Sequence, residues 1–232
     1  MNKSVNIFIL NWNGKKVVHE CLDSLMKISY LNSNIIVIDN GSKDDSINFI
    51  SKEFPKVKII ELKHNYGFAK GNNMGFNSID KADYSIFINN DTIVDSDFVE
   101  PLINTLEADE KIAQVSPKIF YHHQKNKIWY AGAKVDLKKG VVRHLNIRKN
   151  DFDIKLVDCM TDYISGCCLF AHSKVFKELK GFDASFKMYM EDVDLCLRAN
   201  SMGIKSYFLN APFLYHHVSQ TVSNKIFKAK KR

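Results

Sequence analysis

Three aspartates, each in its own short motif, are the side chains of this sequence best suited to chemistry. Asp39 and Asp91 each follow an apolar, β-like run, and Asp192 lies in an acidic pair where a helix is expected to begin. The motifs read IIVIDNGSKDDS (35–46), YSIFINNDTIV (84–94) and GFDASFKMYMEDVDLCLR (181–198). Together the three carboxylates have the chemistry needed to hold a nucleotide, a metal-bound diphosphate and an attacking hydroxyl in one cleft.

The first motif suggests a pocket for a nucleotide base. Asp39 ends an expected strand and precedes the turn sequence Asn40-Gly41-Ser42. A carboxylate at this position can accept the N3–H of uracil or thymine, but it can equally cap the turn that follows it. Asn11 and Asn13 follow the first strand in the same way, so they could contribute polar groups to the same pocket.

Glycines recur every four residues between positions 64 and 75, which gives a helix one bare face. Such a face can pack closely against another element, or it can belong to a loop and helix that lie beside a nucleotide. The second interpretation makes four residues candidates for contacts to a nucleotide-bearing substrate: Asn65, Gly67, Lys70 and Asn72.

The sequence Asn89-Asn90-Asp91 suggests a metal site. Mg²⁺ and Mn²⁺ are usually held by one or two protein oxygens together with substrate phosphates. Asp91 is the best ligand because an asparagine brings no charge, and Asn90 is assigned to the nucleotide-bearing substrate. A lone Asp at a strand end can, however, simply cap a helix or stabilise a turn without binding a metal. His216 and His217 follow the strand-like sequence FLY, and one of them, with His216 preferred, could complete the coordination of the metal.

The third motif suggests a general base. Glu191 and Asp192 open an expected helix, where the helix dipole stabilises acidic residues whatever their role. The apolar segment before the helix, residues 181–190, is expected to enclose this turn in part. A carboxylate kept ionised beside an acceptor hydroxyl can take its proton, and Asp192 is assigned this role with Glu191 orienting the acceptor.

The elements that must position these residues alternate along the chain. Apolar, β-branched runs predict strands at residues 5–10, 35–38, 57–62, 84–88 and 112–115, and apolar residues have helical spacing between them. This alternation predicts an α/β fold of nucleotide-binding type with a mostly parallel central sheet. Ligands bind such sheets outside the carboxyl ends of the strands, where Asp39 and Asp91 both fall.

The pattern changes between about residues 117 and 160, where segments such as 127–136 resemble antiparallel strands. His122 and His123 lie in this stretch without a carboxylate motif beside them, and they are assigned no role. We therefore divide the chain into a nucleotide-binding half, an acceptor-binding and catalytic half of the same domain, and a basic tail. These are residues 1–116, 117–220 and 221–232.

The charge distribution argues against a nucleic-acid partner. Of the net charge of +7, five units come from the last eight residues, which leaves only about +2 for the rest of the chain. A nucleic-acid-binding stripe would spread basic residues through the fold. The tail could contact the inner face of a membrane or remain solvated. Neither a transmembrane run nor a signal-peptide pattern occurs, so a cytoplasmic location is expected, while the sequence does not predict the oligomeric state.

The motifs together resemble those of family 2 inverting glycosyltransferases with the GT-A fold, and within that group the rhamnosyltransferase-like bacterial enzymes. The matching segments run in the family's order: ILNWNG (9–14), VIDNGSKDDS (37–46), NYGFAKGNNMGF (65–76), INNDT (88–92), ISGCCLF (164–170), GFDASFKMYMEDVDLCLR (181–198) and YHHVSQT (215–221). One departure is that Asn89 stands where the first acid of the DxD motif is expected.

The resemblance implies a role for each matching residue. It places Asp39 on the base, Asp91 as the retained acid of the DxD motif, Asp192 as general base and His216 at a Mn²⁺ or Mg²⁺ ion. It further implies a nucleotide-sugar donor, UDP- or dTDP-linked, and a saccharide or lipid-linked acceptor in the synthesis of bacterial cell-surface glycans.

Two other functions remain open at this stage. One is a GT-A-like module that binds but does not catalyse. The intact acidic pair at 191–192 argues against this function. The other is a sugar-nucleotide pyrophosphorylase. Such an enzyme should carry a glycine-rich phosphate loop with basic residues after its first strand, and LNWNGKK is a poor version of it.

Overall fold

A computed structural model describes residues 3–186 and 188–218 of the chain. The strands are β1 (Val5–Asn11), β2 (Ser33–Asp39), β3 (Lys58–Glu61), β4 (Tyr84–Asn89), β5 (Thr92–Val94), β6 (Ile112–Tyr121), β7 (Gln124–Tyr130), β8 (Ala133–Asp136), β9 (Val141–His144), β10 (Cys159–Thr161), β11 (Cys168–His172) and β12 (Lys205–His216). The helices are α1 (Lys15–Leu25), α2 (Ser46–Glu53), α3 (Phe68–Asn77), α4 (Val99–Ala108), α5 (Ser173–Glu178) and α6 (Glu191–Ser201), and a single 3₁₀ turn covers Asp151–Asp153.

The first half of the chain alternates strands and helices as the apolar pattern predicts. In α1 the buried residues Val18, Cys21, Leu22 and Leu25 recur at helical spacing, so one face of this helix packs on the sheet. The residues of β1 are almost continuously buried, as expected for a strand covered on both sides. The predicted strands and helices of this half are therefore confirmed.

One mixed, mostly parallel sheet forms the centre of the molecule. Its strands lie in the order β10-β12-β6-β11-β4-β1-β2-β3. In addition, β5 pairs with β12, and β7 pairs with β6. The pairs β1–β2, β1–β4, β2–β3 and β6–β12 are parallel, whereas β11 is antiparallel to both β4 and β6. The predicted α/β fold with a mostly parallel sheet is confirmed.

Parallel pairing brings the polar ends of three strands to one edge of this sheet. Asn11 is in register with Asp39, and Leu10 of β1 is in register with Asn89 of β4. The carboxyl ends of β1, β2 and β4 therefore lie side by side, and the residues that follow them in sequence begin at the same edge.

Most strand pairs in the second half of the chain are antiparallel, although β6 and β12 are parallel to each other. β7 pairs with β6, and β8 pairs with β9, so the antiparallel strands predicted around 127–136 are confirmed. The long strand β12 pairs with β6 on one side and with β5 on the other, where His216 faces Thr92. This pairing brings the carboxyl end of β12 to the sequence that follows β4.

The bare glycine face of α3 serves close packing. A Cβ atom at Gly71 would lie 2.8 Å from Cδ1 of Leu10, and one at Gly75 would overlap the side chain of Ile38. Both glycines therefore let α3 approach β1 and β2 more closely than alanine would. Gly67 differs, because its positive φ of 82° sets the entry into the helix.

Within the described residues, no helix is long and apolar enough to cross a membrane. The basic tail at 221–232 lies outside the described residues, so its contact with a membrane surface stays a prediction. The division of the chain into halves at residue 116 also stays a prediction.

Candidate active site

Asn11 connects the ends of three strands at the carboxyl edge of the sheet. Its amide nitrogen lies 3.4 Å from Oδ1 of Asp39, and its Oδ1 accepts a hydrogen bond of 2.8 Å from Nδ2 of Asn90. Asn11 and Asp39 are both almost fully buried. Oδ2 of Asp39 accepts the backbone N–H of Ser42 at 2.9 Å, so this carboxylate does cap the turn after β2. Among the described residues, its Oδ1 has only the long contact with Asn11, so it retains the capacity to accept a further hydrogen bond.

Gly14 has a structural role that the sequence pattern does not reveal. A Cβ atom at this position would overlap both Oδ1 of Asn11 and Nδ2 of Asn90. Its φ of −105° is open to any residue, so the requirement for glycine comes from this close approach and not from backbone conformation. Gly14 therefore leaves the space in which the Asn11–Asn90 hydrogen bond forms.

Two asparagines hold the loops at this edge in place. Oδ1 of Asn13 accepts the backbone N–H of Lys43 at 2.7 Å. Oδ1 of Asn65 accepts hydrogen bonds from Nδ2 of Asn40 at 3.0 Å and from the backbone N–H of Gly67 at 2.8 Å. Both predicted nucleotide contacts thus have well-defined structural roles, and their binding roles stay predictions.

The two candidates on α3 differ in exposure. Lys70 is exposed and therefore accessible to an anionic ligand, and its ammonium group lies 4.8 Å from the centre of the Tyr66 ring. Asn72 is buried, and its amide donates to the carbonyl oxygen of Phe68 within the same helix at 3.1 Å. Asn72 therefore has a local structural partner, and its predicted ligand contact is untested.

Asp91 and His216 form a buried pair. Nε2 of His216 lies 3.2 Å from Oδ1 of Asp91, and the side chains are 8% and 10% exposed, respectively. Two ligands about 2.1 Å from one ion at a right angle would be roughly 3 Å apart, so this separation fits a shared metal ion. Nε2 of His217 turns the other way, to Oε2 of Glu20 at 3.0 Å. Of the two histidines, His216 is therefore the one beside Asp91.

Glu191 and Asp192 open helix α6, as predicted. Oδ2 of Asp192 accepts the backbone N–H of Gly166 at 2.8 Å, and its Oδ1 accepts the backbone N–H of Val193. Burial raises the pKa of the Asp192 carboxyl, while these two hydrogen bonds oppose the shift. Burial, together with the nearby charge of Asp192, raises the pKa of Glu191 to about 7. Among the described residues, Oε2 of Glu191 is buried without a hydrogen-bond partner, so it is available to a ligand hydroxyl.

The segment before α6 encloses this turn less than expected. Phe182 is buried, but Met188, Tyr189 and Met190 are between 43% and 59% exposed. Tyr189 and Met190 have positive φ values immediately before Glu191. Glu191 is nevertheless buried, and residues 188–190 form an exposed rim next to it in the sequence.

Trp129 and His144 link the acidic pair to the Asp91–His216 pair, and neither was predicted. The Trp129 ring packs edge-on against His216 and His144, with centroid distances of 4.6 and 4.7 Å. Nδ1 of His144 donates to the carbonyl oxygen of Trp129, since a carbonyl can only accept, so Nε2 of a neutral His144 carries a lone pair. His144 interacts electrostatically with both Asp192 and His216, and burial lowers its pKa.

These contacts join the three motifs of the sequence into one site. Hydrogen bonds run from Asp39 through Asn11 to Asn90, and the chain continues to Asp91 and its partner His216. Ring packing then leads from His216 through Trp129 to His144, which interacts electrostatically with Asp192. The missed residues come from the antiparallel region, where β7 and β9 supply one ring each. Without a motif around Trp129 or His144, only the pairing of these strands could reveal them.

The sequence model of glycosyl transferase family 2 matches residues 6–180, which is more than half of the chain. The chain therefore belongs to glycosyl transferase family 2.

Several curated relatives carry glycosyltransferase names. The chain is 28% identical over 196 residues to an uncharacterised glycosyltransferase of Rickettsia typhi, covering 82% of this chain and 57% of that protein. It is 25% identical over 176 residues to the rhamnosyltransferase WbbL of Escherichia coli, covering 70% and 66%. It is 26% identical over 129 residues to the glycosyltransferase GlyG of Streptococcus pneumoniae, covering 54% and 42%. The chain thus spans about half the length of the first of these relatives.

Solved structures show the same fold at low sequence identity. The structure of GalNAc-T7 with UDP, GalNAc and Mn²⁺ superposes with a TM-score of 0.76 at 16% identity, covering 92% of this chain and 44% of that one. The mannosyltransferase PcManGT from Pyrobaculum calidifontis, in complex with GDP-Man and Mn²⁺, gives a TM-score of 0.70 at 13% identity, covering 96% and 59%. The fold of this chain is therefore the GT-A fold.

Proposed function

We propose that the chain transfers a sugar from a UDP- or dTDP-sugar to a hydroxyl acceptor with inversion at the anomeric carbon. The observation that carries the proposal is the continuity of the site, in which Asp39, the Asp91–His216 pair and Asp192 line one edge of the sheet. Membership of glycosyl transferase family 2 supports the reaction class.

Asp39 is proposed to select the base. Oδ2 accepts the backbone N–H of Ser42, whereas Oδ1 has, within the described part of the chain, only a contact of 3.4 Å to Asn11 and can accept the N3–H of uracil or thymine. The asparagine and lysine groups at the same edge are proposed to contact the rest of the nucleotide sugar: Asn11, Asn13, Asn65, Lys70, Asn72 and Asn90, with the backbone at Gly67.

Asp91 and His216 are proposed to hold the divalent metal. Their separation of 3.2 Å suits two ligands of one ion, and the Asp91 carboxylate supplies the oxygen ligand that both Mn²⁺ and Mg²⁺ favour. When bound, the metal would offset the negative charge on the departing nucleoside diphosphate.

Asp192 is proposed as the general base. Two backbone N–H groups fix the orientation of its carboxylate, and each oxygen keeps a further lone pair for the acceptor hydroxyl. As the hydroxyl oxygen bonds to the anomeric carbon and the bond to the diphosphate breaks, the hydroxyl proton passes to Asp192. Oε2 of Glu191, which lacks a partner among the described residues, is proposed to orient the acceptor.

The acceptor is proposed to be a saccharide or a lipid-linked saccharide of a bacterial cell-surface glycan. The exposed rim at 188–190 directly precedes the acidic pair in the sequence and is proposed to contact such a molecule. A cytoplasmic location with the tail at the inner membrane face remains part of this proposal and rests on the sequence alone.

The test is thermal stabilisation by UDP, dTDP, GDP, CDP and ADP, each with and without Mn²⁺. A ligand at 100 times its dissociation constant adds about 2.7 kcal/mol to stability, which is readily measured. We expect metal-dependent stabilisation by UDP or dTDP, lost in Asp91→Asn and kept in Asp97→Asn, an exposed aspartate nearby. Failure of every diphosphate to stabilise the protein would overturn the donor assignment. Metal-dependent binding without turnover across many acceptors would indicate a binding module instead.

A further inference from the structure

Three histidines outside the Asp91–His216 pair come together at the surface. His122 and His123 belong to the turn between β6 and β7, and His217 follows β12. One ring nitrogen from each lies within 4.8 Å of the others. His122 stacks on His217 with a centroid distance of 3.7 Å, and His123 is edge-on to His122 at 4.9 Å. Two distant segments of the chain therefore present three imidazoles to one point.

The hydrogen bond of His217 fixes which of its nitrogens faces this point. Nε2 lies 3.0 Å from Oε2 of Glu20, and because an ionised carboxylate only accepts, Nε2 carries the proton. Nδ1 of neutral His217 then has a free lone pair. A histidine held by a carboxylate through its second nitrogen is the usual arrangement around protein-bound transition metals.

Unpartnered nitrogens give a second, independent indication. Nδ1 of His217 and Nδ1 of His122 are both buried, and neither has a hydrogen-bond partner among the described residues. Buried polar atoms are rarely left without a partner, so two unpartnered ring nitrogens in adjacent, stacked rings indicate a ligand site. His123 is the exposed member of the cluster and can rotate toward the other two.

We propose that His122, His123 and His217 form a second metal site, separate from the Asp91–His216 pair and selective for Zn²⁺ or a similar transition metal. Imidazole ligands favour Zn²⁺, Ni²⁺ and Cu²⁺, whereas Mg²⁺ and Mn²⁺ favour oxygen ligands. Three protein ligands leave one position for water or another group. Nitrogen ligands of tetrahedral Zn²⁺ are roughly 3.4 Å apart. The three nitrogens lie within 4.8 Å of one another, so binding of one ion requires the rings to rotate or shift and bring them closer together.

Two of the three histidines are hydrogen-bonded through their backbone to the residues of the Asp91–His216 pair, so a metal bound by the cluster would stabilise the backbone of that pair. The backbone N–H of His122 donates to the carbonyl oxygen of His216 at 2.9 Å, and the backbone N–H of His217 donates to that of Asp91 at 3.0 Å. A metal bound by the three histidines would tie the β6–β7 turn to the end of β12, and through Glu20 to α1. Its contribution is structural, because none of its ligands belongs to the Asp91–His216 pair.

The experiment is a titration of tag-free protein, stripped of metal, with Zn²⁺ in the presence of excess Mg²⁺ and a competing chromophoric chelator. Co²⁺ serves as a second probe, since its visible absorption reports tetrahedral coordination. We expect one tightly bound Zn²⁺ per chain in the wild type. His122→Gln/His123→Gln should weaken this binding by at least tenfold, and Glu20→Gln, which removes only the supporting carboxylate, by about tenfold to a hundredfold.

The controls separate the two sites. His19→Gln changes another exposed histidine, on α1 next to Glu20, and should leave Zn²⁺ binding unchanged. Asp91→Asn should also leave it unchanged. His123→Gln alone alters only the exposed ligand, so weaker binding by this folded variant would support the site without the risk of misfolding. Absence of tight Zn²⁺ binding in the wild type, or its loss in Asp91→Asn with retention in the double variant, would overturn the proposal.

Discussion

His216 lies with its Nε2 atom 3.2 Å from Oδ1 of Asp91, although the two residues are far apart in the sequence. They meet because β12 runs antiparallel to β5 and places His216 opposite Thr92, the residue that follows Asp91. The backbone N–H of His217 also donates to the carbonyl oxygen of Asp91 at 3.0 Å. The pair is thus held by a strand register, which fixes its geometry before any ligand binds.

Replacement of His216 by asparagine should weaken metal binding more than it weakens folding. Asparagine keeps a polar group near Asp91 but removes the imidazole nitrogen, so we expect at least a tenfold rise in the Mn²⁺ concentration that gives half-maximal turnover. The measurement is sugar transfer as a function of Mn²⁺ concentration. His19→Asn, a change at an exposed histidine on α1, is the control, and an unaltered Mn²⁺ requirement in His216→Asn would show that His216 is not a ligand.

Asp192→Asn should abolish most turnover while donor binding persists. The amide cannot take a proton from the acceptor hydroxyl, and loss of a general base typically costs about 10²–10⁴ in rate. Turnover is measured at saturating donor and acceptor, and donor binding by thermal stabilisation with Mn²⁺. Asp183→Asn is the matched control, because this exposed carboxylate lies on the segment before α6 and accepts the backbone N–H of Ser185. Normal turnover in Asp192→Asn would assign the base elsewhere.

Glu191 should make the stability of the protein depend on pH in a defined direction. Its pKa is raised from the ordinary 4.5 to about 7, first by burial and then by the charge of Asp192. Between these two values the folded protein keeps a proton that the unfolded chain has lost. The free energy of unfolding should therefore decrease as the pH rises from about 4.5 to 7, and this contribution should be constant outside that window.

The isosteric variant Glu191→Gln isolates this effect. It cannot ionise, so the decrease in unfolding free energy over the window should be smaller than in the wild type. The measurement is denaturant unfolding in metal-free buffer at several pH values, and Glu110→Gln is the control at an exposed glutamate. Parallel pH profiles for the wild type and Glu191→Gln would contradict the raised pKa.

The first half of the fold could be predicted from the sequence because its signals are local. The runs around β1, β2 and β4 are apolar and β-branched, and each ends in a polar residue, so Asn11, Asp39 and Asn89 were expected at one edge. The short motif around Glu191 and Asp192 likewise predicted the start of α6. Parallel pairing then follows from the alternation of strands and helices.

The contacts that complete the site could not be predicted because they depend on long-range strand pairing. Trp129 and His144 reach His216 only through the registers of β7 and β9, and neither residue lies in a motif. His122 has no carboxylate motif beside it, and its partner His217 lies at the far end of β12, so the sequence assigns it no role. Gly14 was missed because the overlap that excludes a Cβ atom involves Asn90, a residue of another strand end.

Because α3 packs closely on the sheet, we expect the effect of Gly75→Ala on stability to change sign when Ile38 is replaced by alanine. A Cβ atom at Gly75 would overlap Cδ1 and Cγ1 of Ile38, which is fully buried on β2. Overpacking of this kind costs about 1–3 kcal/mol, whereas alanine in place of glycine inside a helix gains roughly 1 kcal/mol. Gly75→Ala alone should therefore destabilise the protein. In the background of Ile38→Ala, which removes both overlapping atoms, the same change should stabilise it.

Denaturant unfolding of the wild type, both single variants and the double variant measures this coupling. The variant Ile38→Ala is itself expected to cost about 2–5 kcal/mol, so the informative quantity is the effect of Gly75→Ala in each background. The control is Gly203→Ala, where a Cβ atom would meet no other atom within 4 Å but φ is +80°, so strain without overlap should give the same loss in both backgrounds. Equal effects of Gly75→Ala in the two backgrounds would mean that the space it fills is not limited by Ile38.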